Sequence, residues 1–357
     1  MKRICFLIGN LNNSGGTERV TSIIANELSK QNHDVSILSM TDGTDPFFAL
    51  APAIETYSLH PKKLSFKKHF FPTIWKIRQF VKQHRIDSLI VVDSISCVFT
   101  VPALYGLKVN HICWEHFNFN VDLKVSFRRL GRKLAAKYCD TIVTLTNRDK
   151  HLWQQGLTHI EAKIVPIANP APYENTHHTP SLDSKTVLSV GRLTNQKGFD
   201  LLIAAWAQVC QHNKDWTLCI VGSGEDEKSL KTQACSLGIF ERIDFVPATK
   251  EVVQYYQHSA FYCLSSRFEG LPMVLLEAQA FGLPIVAFDC DTGPSDIITN
   301  KVNGYLCENN NPAALASALT TMIDSTPADF QHMCTKSLEN SERFAVEGII
   351  KKWIAIL

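Results

Sequence analysis

The chain has 357 residues, 45% apolar and 20% charged, a balance of soluble globular proteins that excludes a disordered or collagenous chain. No apolar run approaches the ~20 residues of a membrane-spanning helix. The net charge of +2 hides an asymmetry: residues 1–170 hold 22 Lys+Arg against 13 Asp+Glu, and the remainder holds 14 against 21.

That length suits two domains of ~150–180 residues. The eleven cysteines are scattered and form no C-x-x-C pair, which argues against a disulfide framework and a zinc site and suggests a reducing compartment. The start, MKRICFLIGNLNNSGG, has an apolar run of only six residues and reads as a first strand, not a secretory signal.

In chain order, RICFLIG, DVSILSM, SLIVVD, HICW and TIVTL read as strands. TERVTSIIANELSKQ, PTIWKIRQFVKQH and VSFRRLGRKLAAKYC have helical periodicity between them. A polar, Pro-containing stretch at 169–185 follows. Strands resume at TVLSVG, WTLCIVG, RIDFVP, AFYCLSS and PIVAFD, with helices near 198–212, 226–237, 272–281 and 312–323. Alternation of strand and helix predicts parallel sheets covered on both faces. The expectation is two doubly wound α/β domains facing a cleft, with function in the loops beyond the strands' carboxyl ends.

The loop after the first strand carries Gly15-Gly16 before a helix, whose free N–H groups suit a phosphate. An ordinary glycine turn explains it equally, and the G-x-G-x-x-G spacing of a dinucleotide site is absent. In VLSVGRLTNQKGFDLLI, Arg192 and Lys197 project from the loop after a strand and suit a diphosphate; a solvated loop is the alternative. It is not a P-loop, because Gln196 stands where the second glycine belongs. IVGSGEDEKSL has a G-x-G, but its acids would repel a pyrophosphate, so it reads as structural. Asp289 and Asp291 have no neighbours in sequence that complete a metal shell. His116 follows a strand in the first half and is either a structural histidine or one that faces a ligand.

SRFEGLPMVLLEAQAFGLPIVAF, 266–288, is the most informative stretch. Pro272 suits the first position of a helix. Gly270 and Leu271 then expose backbone N–H groups at its positive end. Glu277 lies inside that helix, where a carboxylate accepts hydrogen bonds from vicinal hydroxyls, as on a ribose. Glu269 at the mouth reaches another part of the same ligand. With Arg192 and Lys197 for phosphate, the set points to a sugar nucleotide.

The basic residues Lys62, Lys63, Lys67 and Lys68, and Lys124, Arg128, Arg129, Arg132, Lys133 and Lys137, are either solvated faces or an anionic docking surface. The second group, interleaved with apolar residues at helical spacing, suits a membrane surface. Aromatic–basic interleaving of the kind that reads nucleic acid is weak, so no nucleic-acid partner is expected.

Together, the E-x7-E of Glu269 and Glu277, the R-x4-K of Arg192 and Lys197, the Gly15-Gly16 loop and TGPSDII resemble retaining glycosyltransferase family 4 over nearly the whole chain. GGTERV and WEHFN resemble its bacterial branch that uses UDP-hexoses to build capsule, exopolysaccharide or lipopolysaccharide. The resemblance implies a GT-B fold of two Rossmann-like domains: an acceptor domain, 1–170, a nucleotide-sugar domain, 171–337, and a segment, 338–357, crossing back to the first. It implies no metal or other cofactor, the UDP-sugar being a substrate. By the same carry-over, Arg192 and Lys197 hold the diphosphate, Glu277 the ribose and Glu269 the transferred sugar. Gly270-Leu271 supply N–H groups, Gly16 closes over the phosphates and His116 approaches the sugar. A saccharide acceptor, lipid-linked, follows, and the clustered basic charge of the first half adds an expected place on the cytoplasmic face of the membrane. One departure is DCD at 289–291, where the family often has a non-acidic third residue. The rivals are a GT-B sugar-nucleotide epimerase, which leaves the basic first half unexplained, and a non-catalytic sugar-nucleotide-binding subunit.

Overall fold

The computed structural model describes residues 1–62, 68–122, 125–173, 176 and 178–357. Internal contacts divide the chain into two compact units, Met1–Pro170 with Val346–Leu357, and Ala171–Ala345.

The first unit is built on a seven-stranded sheet: β1 (Arg3–Ile8), β2 (Asp34–Ser39), β3 (Glu55–Ser58), β4 (Ser88–Val92), β5 (Asn110–Trp114), β6 (Thr141–Thr144) and β7 (Lys163–Pro166). Their order is β3-β2-β1-β4-β5-β6-β7 and every pairing is parallel. The five strands expected from apolar runs are all present. The two extra strands, β3 and β7, lie at the edges, where only one neighbour and partial cover are needed, so ETYS and KIVP carry no long apolar run. Helix Gly16–Lys30 buries Val20, Ile24 and Leu28, spaced four apart on one face. The chain end also belongs to this unit. Helix Val346–Ile354 buries Ile349, Ile350 and Trp353, and the Trp353 ring meets Trp114 edge-on at 4.8 Å. The returning segment therefore starts at Val346. Residues 338–345 stay with the second unit, where the Ala171 N–H donates to the Phe344 carbonyl at 2.8 Å.

The second unit has six parallel strands: β8 (Thr186–Val190), β9 (Thr217–Val221), β10 (Ile243–Val246), β11 (Phe261–Leu264), β12 (Ile285–Phe288) and β13 (Gly304–Cys307). Their order is β10-β9-β8-β11-β12-β13. Its core includes Val187, Trp206, Phe261 and Phe288, all fully buried. The strand order reverses between β8 and β11. The region beyond the carboxyl ends of the strands at such a reversal is the usual ligand position in these sheets. Residues 191–198 follow β8 and residues 265–272 follow β11, so topology alone brings together the two loops that carry Arg192, Lys197 and Glu269.

Candidate active site

The two switch-point loops are laced to each other. The Arg267 N–H donates to the Gln196 carbonyl at 2.9 Å, and Gln196 Nε2 to the Phe268 carbonyl at 3.2 Å. Ser265 Oγ donates to the Lys197 carbonyl at 2.9 Å. The Arg267 guanidinium grips both Asp200 oxygens at 2.8 and 2.6 Å and the Asn195 carbonyl at 2.7 Å. Gly198, at φ +64°, lies so close to the other loop that a Cβ would stand 2.1 Å from the Ser265 carbonyl oxygen. Arg267 and Gly198 were not singled out from sequence. An arginine in a polar loop gives no period or motif, although Gly198 just before a helix is a readable sign of a left-handed turn.

This lacing fixes the Lys197 side chain, whose ammonium sits 2.7 Å from Glu269 Oε1, with side chains 21% and 7% exposed. Arg192 is different. It is 77% exposed, 3.9 Å from Glu225, and free to follow a ligand.

Glu269 leads through Gly270 and Leu271 to helix Met273–Ala280. Pro272 is the cap residue, in extended conformation at φ −70°, one place earlier than sequence suggests. The TGPSD loop supports this corner from behind. Thr292 Oγ1 donates to the Glu269 carbonyl at 2.6 Å. Gly293 has φ +97°, and a Cβ there would fall 2.5 Å from Pro272 Cδ and 2.9 Å from the Gly270 carbonyl oxygen.

Glu277 is buried, and Tyr256 donates its hydroxyl to Oε2 at 2.6 Å. Tyr256 itself is stacked between Phe281 and Tyr262, with centroids 5.4 and 6.1 Å away. Burial first, and the Glu277 carboxylate second, push the Tyr256 pKa well above its ordinary value, so it stays a donor. An acid inside an otherwise apolar helix is thus an oriented carboxylate. Tyr256 was also missed, because QYYQ reads as an ordinary helical segment.

The glycines of IVGSGEDE are structural, as expected. A Cβ on Gly222 would stand 1.9 Å from the Gly191 carbonyl oxygen, and one on Gly224 2.2 Å from that of Leu193. Asp289 and Asp291 flank the buried Cys290 and belong to no chelating cluster among the described residues.

In the first unit, exposed Gly15 caps helix Gly16–Lys30 in extended conformation and offers no side-chain cap to the helix end. A Cβ on Gly15 would lie 2.5 Å from Glu18 Oε2. His116 follows β5. Burial pushes its pKa down to about 4, so the imidazole is neutral, and its ring packs on Trp114 at 4.5 Å. Its Nε2 is buried with no hydrogen-bond partner among the described residues.

The loop that carries His116 is anchored by ions. Glu115 is fully buried, with Oε1 accepting the His116 and Phe117 N–H groups at 3.2 Å each. Arg132 reaches Glu115 Oε2 at 3.1 Å and the carbonyls of Phe119, Asn118 and Val121 at 2.6, 3.1 and 2.8 Å. Arg128 holds Asp93 bidentately at 2.7 and 2.8 Å. This corrects the reading of the second basic group as one docking face. Arg128 and Arg132 point inward and are neutralised by Asp93 and Glu115. Arg129, Lys133 and Lys137 remain exposed on helix Ser126–Tyr138. Lys63, Lys67 and Lys124 lie outside the described residues.

Two family models match the chain: "Glycosyltransferase Family 4" over residues 14–174 and "Glycosyl transferases group 1" over 174–340. An "Uncharacterized glycosyltransferase" of Haemophilus influenzae is 43% identical, end to end in both chains. The "Amylovoran biosynthesis glycosyltransferase AmsD" of Erwinia amylovora is 31% identical, again over the whole of both. A Campylobacter jejuni α-1,4-N-acetyl-D-galactosaminyltransferase, whose name specifies an undecaprenol-diphosphate-linked saccharide, is 26% identical over 100% of this chain and 98% of its own. Among solved structures, Anabaena HepE in complex with UDP and glucose matches with a TM-score of 0.81, 20% identity and 99% coverage of both chains. The chain belongs to the family 4 glycosyltransferases and has their GT-B architecture.

Proposed function

We propose that this family 4 glycosyltransferase moves a hexose from a UDP-sugar to a lipid-linked saccharide acceptor in cell-surface polysaccharide or lipopolysaccharide synthesis, with retention of configuration and without a metal. The observation that carries the proposal is the Lys197–Glu269 pair, at the switch point and before helix Met273–Ala280, with Glu277 oriented by Tyr256 inside that helix. The relatives named for amylovoran biosynthesis and for transfer to an undecaprenol-linked saccharide support the pathway class. The HepE complex supports UDP as the nucleotide.

Breaking the bond between anomeric carbon and phosphate puts negative charge on the diphosphate and oxocarbenium character on the sugar. Lys197 and the exposed, adaptable Arg192 neutralise the growing charge, aided by the Gly270 and Leu271 N–H groups. Because the lacing holds Lys197 in place beforehand, little reorganisation is needed as the charge grows. Glu277 accepts the ribose hydroxyls. Glu269 contacts the sugar and, being ion-paired, is held in a fixed position. For the first unit we propose the roles that the family resemblance implies: phosphate contacts for Gly15 and Gly16, and a sugar contact for His116. The acceptor's proton passes to the leaving diphosphate, which removes the need for a separate base.

The lipid-linked acceptor also requires a membrane-facing surface, and we assign it to helix Phe70–Gln83. Residues 59–86 contain eight Lys+Arg and no Asp or Glu. On this helix Phe71 and Trp75 are 78% and 61% exposed, and Tyr105 nearby is 84% exposed. Arg78 ties the two segments together by donating to the carbonyls of Ala103 and Tyr105 at 2.9 and 2.8 Å. Exposed aromatics amid unopposed cations suit an anionic lipid interface. No helix among the described residues is long and apolar enough to cross a membrane; we propose a peripheral attachment, on the cytoplasmic leaflet.

The test is transfer from a panel of UDP-hexoses, in EDTA, to an undecaprenol-diphosphate saccharide, with the product's anomeric configuration read by NMR. An α-linked product from an α-configured donor supports the proposal. Inversion, or loss of turnover in EDTA restored by Mg²⁺, overturns the corresponding part.

A further inference from the structure

Cysteines that look scattered in the sequence converge in the core of the first unit. Cys97 opens helix Cys97–Leu104, His111 and Cys113 lie two apart on β5, and Cys139 follows helix Ser126–Tyr138. Spacing of two on a strand puts His111 and Cys113 on the same face of the sheet. Cys97 Sγ, Cys139 Sγ and a ring nitrogen of His111 all lie within 4.8 Å of one another. Cys113 shares that face but is not one of the three. All four side chains are buried.

We propose that Cys97, Cys139 and His111 form a buried zinc site. The Cys139 Sγ to His111 Nδ1 distance is 3.5 Å. A tetrahedral zinc with bonds of ~2.3 Å to sulfur and ~2.0–2.1 Å to nitrogen sets such an edge at ~3.6 Å. The other ring nitrogen, Nε2, lies 3.0 Å from Thr100 Oγ1. A ligating histidine characteristically ties its second nitrogen to such an outer partner, which fixes the tautomer that leaves Nδ1 for the metal. The backbone pins the pair in register. His111 N–H donates to Asp140 Oδ2 at 2.7 Å, and Asp140 N–H to the His111 carbonyl at 2.9 Å, which holds Cys139 beside the ring.

Two thiolates and an imidazole are a soft donor set, suited to zinc and poorly suited to magnesium or calcium. A core thiol can pack as a small hydrophobe with no sulfur neighbour, so convergence from two helices and a strand is the informative feature. On binding, the two thiols release two protons to solvent, and the zinc keeps one water as its fourth ligand. All three protein ligands are buried, so the metal is structural and metal-independent transfer is unaffected. The site stands apart from the transferase reading.

The experiment uses the untagged full chain, purified in reductant from cells grown with zinc. About one zinc per chain is expected by elemental analysis, with Cys97→Ser falling below about 0.1 and Cys5→Ser, a core thiol outside the cluster, unchanged. Unfolding and refolding the wild type with Co²⁺ should give tetrahedral d–d bands and thiolate charge-transfer absorption. This second readout holds even if Cys97→Ser fails to fold. Folded wild type with less than about 0.1 zinc per chain and no such cobalt spectrum overturns the site. So does a Cys97–Cys139 disulfide found by peptide mapping of protein freshly isolated with thiols blocked.

Discussion

Lys197→Met tests whether the Lys197–Glu269 pair serves catalysis or only the fold. Methionine keeps much of the apolar stem and removes the ammonium, leaving Glu269, only 7% exposed, without its 2.7 Å partner. Breaking a buried pair costs ~3–5 kcal/mol. The 21% exposure of Lys197 admits screening water, so about 1–3 kcal/mol of stability is expected to be lost here. If Lys197 also neutralises charge on the leaving diphosphate, turnover falls by a further, separate factor. Removing one such preorganised donor costs ~3 kcal/mol of barrier, about 100-fold or more in kcat. The double variant Lys197→Met/Glu269→Gln separates the two effects. It leaves no unpaired charge, so urea unfolding should recover about 1–2 kcal/mol relative to Lys197→Met. Its kcat, measured at saturating UDP-sugar on protein verified as folded, should stay down. Recovery of kcat in the double variant would show that the pair is structural. Retention of kcat within about threefold in Lys197→Met would refute the charge argument outright.

Tyr256→Phe removes the 2.6 Å hydrogen bond to Glu277; loss of ~1–1.5 kcal/mol of donor binding should raise the donor KM about 5–13-fold with kcat little changed, as steady-state kinetics would show. Gly198→Ala would place a Cβ 2.1 Å from the Ser265 carbonyl at φ +64°, so a stability loss of about 2 kcal/mol or more is expected in chemical unfolding, with turnover falling as the loops separate. Trp75→Asp should abolish co-sedimentation with anionic vesicles at low salt while leaving transfer to a short water-soluble acceptor intact. Two buried groups on the His116 side of the first unit act in opposite senses with pH. Burial lowers the His116 pKa from 6.5 to about 4, so its contribution is complete above ~6.5 and is lost as pH falls toward 4. Burial raises that of Asp149 from 3.8 to about 7, so its stabilisation is complete below ~4 and is lost as pH rises toward 7. Asp149→Asn, which can still accept the Phe119 N–H now bonded at 2.7 Å, should therefore stabilise the protein at pH 8 by up to ~4 kcal/mol and lose that advantage by pH 4–5; a gain independent of pH would rule out the titration.

The sequence was legible where one physical requirement produces one pattern. Interior parallel strands are buried on both faces, so RICFLI, SLIVV and PIVAF declare themselves. Three of the four edge strands do not: ETYS, KIVP and GYLC satisfy only one neighbour and carry no distinctive run, whereas edge strand β10 is readable in RIDFVP. The same division holds in the site. Glu269, Lys197 and Glu277 stand out because charge at a strand end or within an apolar helix is costly without a purpose. The residues that aim them are silent in sequence. Tyr256 looks like any helical tyrosine, and Arg267 meets Asp200 only because β8 and β11 are adjacent in the sheet.

The basic helix Ser126–Tyr138 shows why charge in sequence is a poor guide to charge at a surface. A helix repeats every 3.6 residues, so Arg128 and Arg132, four apart, share one side, while Arg129 and Lys133 share the next. Composition cannot say which side faces inward. Glu115 decides it: a carboxylate that caps the His116 loop from within the core needs cations beside it, and Arg132 and Arg128 supply them at 3.1 and 3.5 Å. Arg132 spends its remaining donors on three loop carbonyls, so the same guanidinium that neutralises Glu115 also shapes the turn that presents His116. Arg132→Lys keeps the charge and loses the fork. It should therefore preserve much of the ion pairing yet loosen the loop, and turnover should fall more than stability. If unfolding free energy fell by several kcal/mol while the folded fraction kept full kcat, Arg132 would be a core ion-pair partner and nothing more.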